Sequence, residues 1–211
     1  MLFLQFVRKK IVFLHKKILM QTICVYCGSS SQVNPAFFEQ ARKFGKILAE
    51  NQIALVYGAG NMGLMGEIAK SALENGGKVI GVIPQFMYDE NWYLSELTEL
   101  IITETMHERK QKMIEISDAL VALPGGCGTF EELFEAITWK QLGLITQPIV
   151  IANFENYYQP ILSMFDRAVE ENFIREKHTQ MWQIVNSPDE ILPAIQNSAT
   201  WCKTYRKFVA I

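Results

Sequence analysis

Short, unbroken apolar runs alternate along this chain with longer stretches in which apolar residues recur every three or four positions. The short runs are "TICVYCG", "IALVYGAG", "KVIGVIP", "LIITET", "ALVALPGG", "PIVIAN" and "MWQIVN". They are rich in Val, Ile and Leu and end in turn residues, which predicts strands buried on both faces. The stretches between them have helical spacing. "NPAFFEQARKFGKILAEN" predicts a helix with Asn34 as N-cap and Pro35 at its first position. "GLMGEIAKSALENGG" predicts a second, closed by Gly76 and Gly77. "MHERKQKMIEISD", a helix starting at Thr129, "YYQPILSMFDRAVEENF", and "SPDEILPAIQN" with Ser187 as its cap complete the series. Strands alternating with helices predict an α/β fold, a Rossmann-like three-layer sandwich: a parallel sheet with helices on both faces.

Residues 20–197 carry this pattern as a single domain, without repeats or linker. Residues 1–19, "MLFLQFVRKKIVFLHKKIL", mix apolar and basic positions. Their uncharged runs are too short to span a membrane, and Arg8, Lys9, Lys10, Lys16 and Lys17 break any signal-peptide core. The expected reading is a disordered or spurious extension before a domain that starts at Met20; a basic amphipathic surface helix is the alternative. Residues 198–211 form a basic, apolar tail with no assigned place.

With 211 residues, 49% of them hydrophobic, the chain can bury one sizeable core but not two. A net charge of −2 leaves no electrostatic footprint for nucleic acid. Cys24 and Cys27 form a CxxC, but on a strand side chains three apart point to opposite faces, which disfavours chelation or cross-linking. His15, His107 and His178 are scattered, so no metal site is expected. Unpaired cysteines fit a reducing cytoplasm.

Two glycine clusters then change the picture. "VALPGGCGTFEEL" puts Gly125, Gly126 and Gly128 where a strand becomes a helix. That junction presents free backbone N–H groups and a positive dipole end, suited to phosphate. A tight turn with no ligand is the plainer alternative. "YGAGNMGLMG" spells GxGxxG through Gly58, Gly60 and Gly63. A dinucleotide site also needs an acidic residue ending the next strand, and "KVIGVIPQ" has none. A phosphate or close-packing role remains. "CGSS", "GAGNMG" and "PGGCGT" all follow strands, so they share the carboxyl edge of the sheet, where ligands bind. Ser29, Ser30 and Thr129 offer hydroxyls there.

Arg109 and Lys110 open the helix whose following strand delivers "PGGCGT" to that edge. Lys112 reads as a solvated helix-face residue. Glu132 lies three residues into the next helix and can point back to the loop. Its T-x-x-E spacing from Thr129 equally fits a capping box. Glu131 lies about 100° away and reads as a surface residue.

"MHERK" followed by "SDALVALPGGCGTFEELFEAITWKQLG" closely resembles the LOG family of cytokinin riboside 5′-monophosphate phosphoribohydrolases, often labelled lysine decarboxylases. The family motif P-G-G-x-G-T-x-x-E is met by Pro124, Gly125, Gly126, Gly128, Thr129 and Glu132, and "VYCGSS" and "GLMG" match too. The resemblance runs from about Met20 to Asn197. Cys127 stands at a variable position often aromatic, and Ala59 replaces a common glycine. The resemblance implies hydrolysis of the base–ribose bond of a purine nucleoside 5′-monophosphate, AMP or an N6-modified ribotide, to free base and ribose 5-phosphate. It implies that Arg109 and Glu132 are catalytic. Gly125, Gly126, Cys127, Gly128 and Thr129 would bind phosphate, with Lys110 and Thr138 as substrate contacts. Whether Arg109 holds the departing purine or the phosphate stays open.

No cofactor and no metal is implied, and nothing marks a Schiff-base lysine for pyridoxal phosphate. Family members of this length are homodimers. The helix from Phe130 is apolar on two sides, with Phe130, Leu133, Phe134 and Ile137 on one and Ala136, Trp139 and Gly143 on the other. Such a helix is interior or at an interface. The expected partners are a small-molecule nucleotide and a second copy, with no nucleic acid and no membrane. The alternative is a non-catalytic carrier of the molybdenum-cofactor type, or a single-strand DNA loading factor on the same architecture. The Arg109–Glu132 pair argues against a mere carrier, and the missing basic surplus against DNA.

Overall fold

The computed structural model describes residues 20–201. The expectations for 1–19 and for 202–211 of the tail lie outside the described residues.

Seven strands form one sheet: β1 (Thr22–Tyr26), β2 (Ala54–Tyr57), β3 (Val79–Pro84), β4 (Glu99–Thr103), β5 (Ala119–Ala122), β6 (Ile149–Ala152) and β7 (Trp182–Val185). Their order is β4-β3-β2-β1-β5-β6-β7 and every pairing is parallel. Each matches an apolar run read from the sequence. The direction of winding reverses at β1, with β2 on one side and β5 on the other. That is a topological switch point, where open α/β sheets leave a crevice.

Among the described residues seven α-helices follow the strands: α1 (Pro35–Glu50), α2 (Gly63–Glu74), α3 (Gln85–Asp89), α4 (Met106–Glu115), α5 (Cys127–Gln141), α6 (Gln159–Glu170) and α7 (Ile191–Gln196). Asn34 caps α1, its Oδ1 accepting from the Ala36 N–H at 3.0 Å, with Pro35 next. α2 ends before Gly76, whose φ of 76° is the left-handed turn expected there. Thr105 caps α4 by accepting from the Glu108 N–H at 3.1 Å.

Three expectations need correction. α5 starts at Cys127, two residues before Thr129, with Gly126 as N-cap. The last helix divides into a 3₁₀ turn (Pro188–Glu190) and α7, and the Ser187 hydroxyl donates to Glu190 at 3.0 Å instead of capping backbone. The five-residue α3 and the 3₁₀ turns Phe154–Asn156 and Glu176–Met181 are additional; all three are too short for periodicity to register.

Alternate residues of the strands feed two cores. Val25, Leu55 and Val121 pack toward α1 and α2, while Cys24, Val56 and Leu120 pack toward α4 and α5. Cys24 and Cys27 fall on opposite sides, both buried free thiols, so they form no CxxC site. The start of β1 is fastened to β5: Asp118 Oδ2 accepts from the backbone of Gln21 and Thr22 at 2.8 and 3.0 Å. Among the described residues, no helix is long and apolar enough to cross a membrane.

Candidate active site

The loops after β1, β2 and β5 meet at the switch point. The Gly28 N–H donates to Pro124 O at 3.0 Å, and the Met65 N–H to Gly28 O at 3.3 Å. Gly63 has φ of 59°, and a Cβ there would lie 2.4 Å from the carbonyl carbon of Ser29. Only glycine lets the two loops close this far. Together they enclose a cavity of about 360 Å³ whose wall includes Ser29, Gly58, Arg109, Gly126, Cys127, Gly128, Thr129 and Glu132.

Arg109 sits in the first turn of α4, with its side chain 7% exposed. Its Nε donates to Val82 O of β3 at 3.0 Å, and its Nη1 to Glu132 Oε1 at 3.2 Å. A Cβ on Gly58 would lie 1.8 Å from Nη2. Gly58 therefore makes the space that the guanidinium occupies, which explains one glycine of the GxGxxG without a dinucleotide. Its neighbour Ala59 has φ of 65°. Glycine would adopt that left-handed conformation freely, whereas alanine is strained there.

Glu132 is six residues into α5, and its side chain is 11% exposed. Since Gly126 is the N-cap, the Thr129–Glu132 spacing is not a capping box, and the carboxylate faces Arg109 instead. Burial drives its pKa up to about 7 from an ordinary 4.5, against the opposing pull of Arg109. The carboxyl is thus poised to exchange a proton near neutrality.

The end of the cavity beside the start of α5 is built from backbone. The first intrahelical bond of α5 runs from the Phe130 N–H to Gly126 O at 3.0 Å. The N–H groups of Cys127, Gly128 and Thr129 therefore have no partner within the helix. A Cβ on Gly126 or Gly128 would meet nothing within 4 Å, and neither residue has a positive φ. Neither packing nor backbone conformation requires glycine at these two positions. Gly125 differs: a Cβ there would lie 2.1 Å from Thr129 Oγ1. Its carbonyl accepts from the Tyr157 hydroxyl, and Leu123 O accepts from Tyr158 Oη at 2.7 Å. These two tyrosines, which the sequence does not mark, pin the end of β5.

The cavity brings together seven of the residues expected to act on substrate: Ser29, Arg109, Gly126, Cys127, Gly128, Thr129 and Glu132. Ser30, Gly125, Lys110 and Thr138 are not on its wall. The Ser30 hydroxyl accepts from the Gln32 N–H at 3.2 Å. Thr138 Oγ1 donates to Phe134 O at 2.7 Å on the exposed face of α5. The buried Lys110 ammonium pairs with Glu131 and, at 3.1 Å, with Glu135. Glu131, read as a surface residue, is half exposed but engaged. The wall also holds Met65, Met87 and Met113, each from a different helix, giving one side an apolar, adaptable lining. No sequence pattern flagged them, because isolated methionines at helical spacing read as core.

A family profile described as "Possible lysine decarboxylase" matches residues 65–195. A rice protein (Oryza sativa subsp. japonica) named "Probable cytokinin riboside 5′-monophosphate phosphoribohydrolase LOG4" is 41% identical over 179 residues, covering 85% of this chain and 78% of that protein. The Arabidopsis thaliana "Cytokinin riboside 5′-monophosphate phosphoribohydrolase LOG2" is 41% identical over 167 residues, covering 79% of this chain and 76% of its own length. Among solved structures, the molybdenum cofactor carrier protein of Chlamydomonas reinhardtii superposes with a TM-score of 0.64 at 21% identity, over 84% of this chain and 96% of that one. That likeness concerns the fold alone.

Proposed function

The chain belongs to the LOG family of cytokinin riboside 5′-monophosphate phosphoribohydrolases, and on that premise we propose how its cavity cleaves a nucleotide. It is a hydrolase of the N-glycosidic bond of a nucleoside 5′-monophosphate. The substrate is AMP or an N6-modified adenosine monophosphate. Water adds to C1′, the C1′–N9 bond breaks, and the products are ribose 5-phosphate and the free purine.

The observation that carries this reading is the pairing of a buried Arg109–Glu132 couple with two glycines that face open space. As the bond breaks, positive charge develops on the ribose and negative charge on the base. The Glu132 carboxylate stabilises the first and accepts one proton of the attacking water, and a proton from solvent neutralises the departing purine. Arg109, held by Val82 and Glu132, has its outer nitrogen toward the Gly58 side of the cavity, where it can receive charge from the departing purine or the phosphate. The N–H groups of Cys127, Gly128 and Thr129 with the Thr129 hydroxyl hold the 5′-phosphate, aided by Ser29. Glu132 must be ionised, so kcat/KM falls as the pH drops through about 7.

The protein acts as a homodimer in the cytoplasm. Two features support this: Phe134 and Leu144 stand 41% and 52% exposed on and just beyond α5, and Cys24, Cys27 and Cys127 are free thiols. The deciding assay incubates the purified protein with AMP, with N6-isopentenyladenosine monophosphate and with adenosine, and measures free base and ribose 5-phosphate. Both nucleotides should be cleaved and adenosine should not, because the phosphate supplies the binding energy that orients the sugar. Equal rates on adenosine and AMP would overturn the phosphate site. Cadaverine released from lysine would overturn the hydrolase reading.

A further inference from the structure

The Lys110 ammonium is buried as deeply as the Arg109 guanidinium, yet Lys110 forms no part of the cavity wall. Both its partners, Glu131 and Glu135, lie on α5, the helix that carries Glu132. They are four residues apart and so neighbours on one face, which lets one ammonium meet both. Consecutive residues on a helix differ by about 100° around its axis. α4 and α5 are therefore joined twice, by Arg109 to Glu132 beside the cavity and by Lys110 to Glu131 and Glu135 next to it.

We propose that Lys110, Glu131 and Glu135 form a positioning network that holds the Glu132 carboxylate opposite Arg109 and governs how readily it takes up a proton. The proposal rests on the reading of Glu132 as the acting carboxylate. Lys110 is in this view a positioning residue, not a substrate contact.

The groups around Glu132 leave few other charges to do this. From β1 and the residue after it, it is faced by Cys24, Tyr26 and Cys27, and from the start of α6 by Tyr158. Burial pushes all four far upward, so they are uncharged at neutral pH. The charges that act on it are Arg109 and Lys110 from α4 and Glu131 from α5 itself; Glu135 enters through Lys110, whose charge it partly neutralises. Glu131 pushes the Glu132 pKa up and Lys110 pulls it down. The ion pair thus applies two opposed influences, and breaking it from either end has opposite consequences. Lys110 itself is held charged: burial disfavours the ammonium most, but hydrogen bonds and charge from Glu131 and Glu135 together outweigh it.

Two measurements on the full chain test this. One follows the Glu132 carboxyl carbon by NMR across pH in protein labelled with ¹³C-glutamate, its signal assigned by its loss in Glu132→Gln. The other is the pH dependence of kcat/KM for AMP. Lys110→Met should raise the Glu132 midpoint by roughly half a unit or more, and Lys110→Arg should restore it. Glu131→Gln should lower it, and the acid limb of activity should follow in each case. At pH 8.5 the KM of Lys110→Met should stay within about threefold of the parent. Midpoints that do not move, or that move the same way in Lys110→Met and Glu131→Gln, overturn the network. So does a KM raised about tenfold or more with an unmoved midpoint, the mark of a substrate contact. If Lys110→Met does not fold, Glu131→Gln and Glu135→Gln decide, since each should lower the midpoint and an unmoved value in both overturns the proposal. Full turnover in Glu132→Gln would remove Glu132 from catalysis, while the NMR midpoints would still decide the network.

Discussion

Burial lifts the Glu132 carboxyl to about 7 even though Arg109 lies 3.2 Å away. This has a cost in stability as well as a use in chemistry. Between pH 4.5 and 7 the folded protein keeps the Glu132 proton that the unfolded chain has lost. Stability therefore falls as the pH rises through that window, and the deficit is complete above it. Glu132→Gln imitates the protonated form. It should unfold at higher denaturant concentration than the parent at pH 8, by up to about 3 kcal/mol, with the difference gone below pH 4.5. Its turnover should drop by roughly 100-fold, about 2.7 kcal/mol of transition-state stabilisation, while AMP still binds. A folded Glu132→Gln with near-normal turnover would contradict the mechanism. Gly58 gives an independent test. In Gly58→Ala the new methyl falls 1.8 Å from Arg109 Nη2, so the guanidinium must leave its place. Turnover should fall by at least about tenfold, with KM less affected. This role was not legible in the sequence: Gly58 and Arg109 are far apart along the chain, and a GxGxxG between strand and helix carries no sign of which glycine faces a side chain.

At the scale of elements, α5 is the instrument of the site, and its start is where sequence reading and structure part. Apolar periodicity begins only at Phe130, so the expected start fell at Thr129, and Thr129 with Glu132 looked like a cap. The helix in fact begins inside the glycine loop at Cys127. That moves three free N–H groups to the cavity wall and turns Glu132 toward Arg109. The strands were legible because each is a buried apolar run. Lys110 lies off the cavity wall although Arg109 lines it, because neighbours in a helix sequence stand a quarter-turn or more apart in space. The glycines of the loop now yield a separable prediction. At Gly128 a methyl meets nothing in the protein, and alanine favours helix over glycine by about 1 kcal/mol. Gly128→Ala should be at least as stable as the parent in thermal melts. Its KM for AMP should nonetheless rise by about tenfold or more, because the methyl occupies the ground proposed for phosphate. An unchanged KM would remove the loop from substrate binding.

At the scale of the whole molecule, the site depends on a sheet whose central strand is its first. β1 pairs with β2 and with β5, and Asp118 fastens its beginning. We propose that the domain begins at Met20: a chain starting there should fold and hydrolyse AMP at the rate of the full chain. Aggregation or loss of turnover in that shorter chain would make residues 1–19 part of the domain. The same topology dictates an order of events during synthesis. β1 to β4 can pair among themselves as they emerge, giving half a sheet ordered β4-β3-β2-β1. Its inner strand then presents a bare row of N–H and C=O groups until Ala119–Ala122 leaves the ribosome and docks beside it. For that interval the central strand of the finished sheet is an exposed and adhesive edge, and the demand for chaperones falls there.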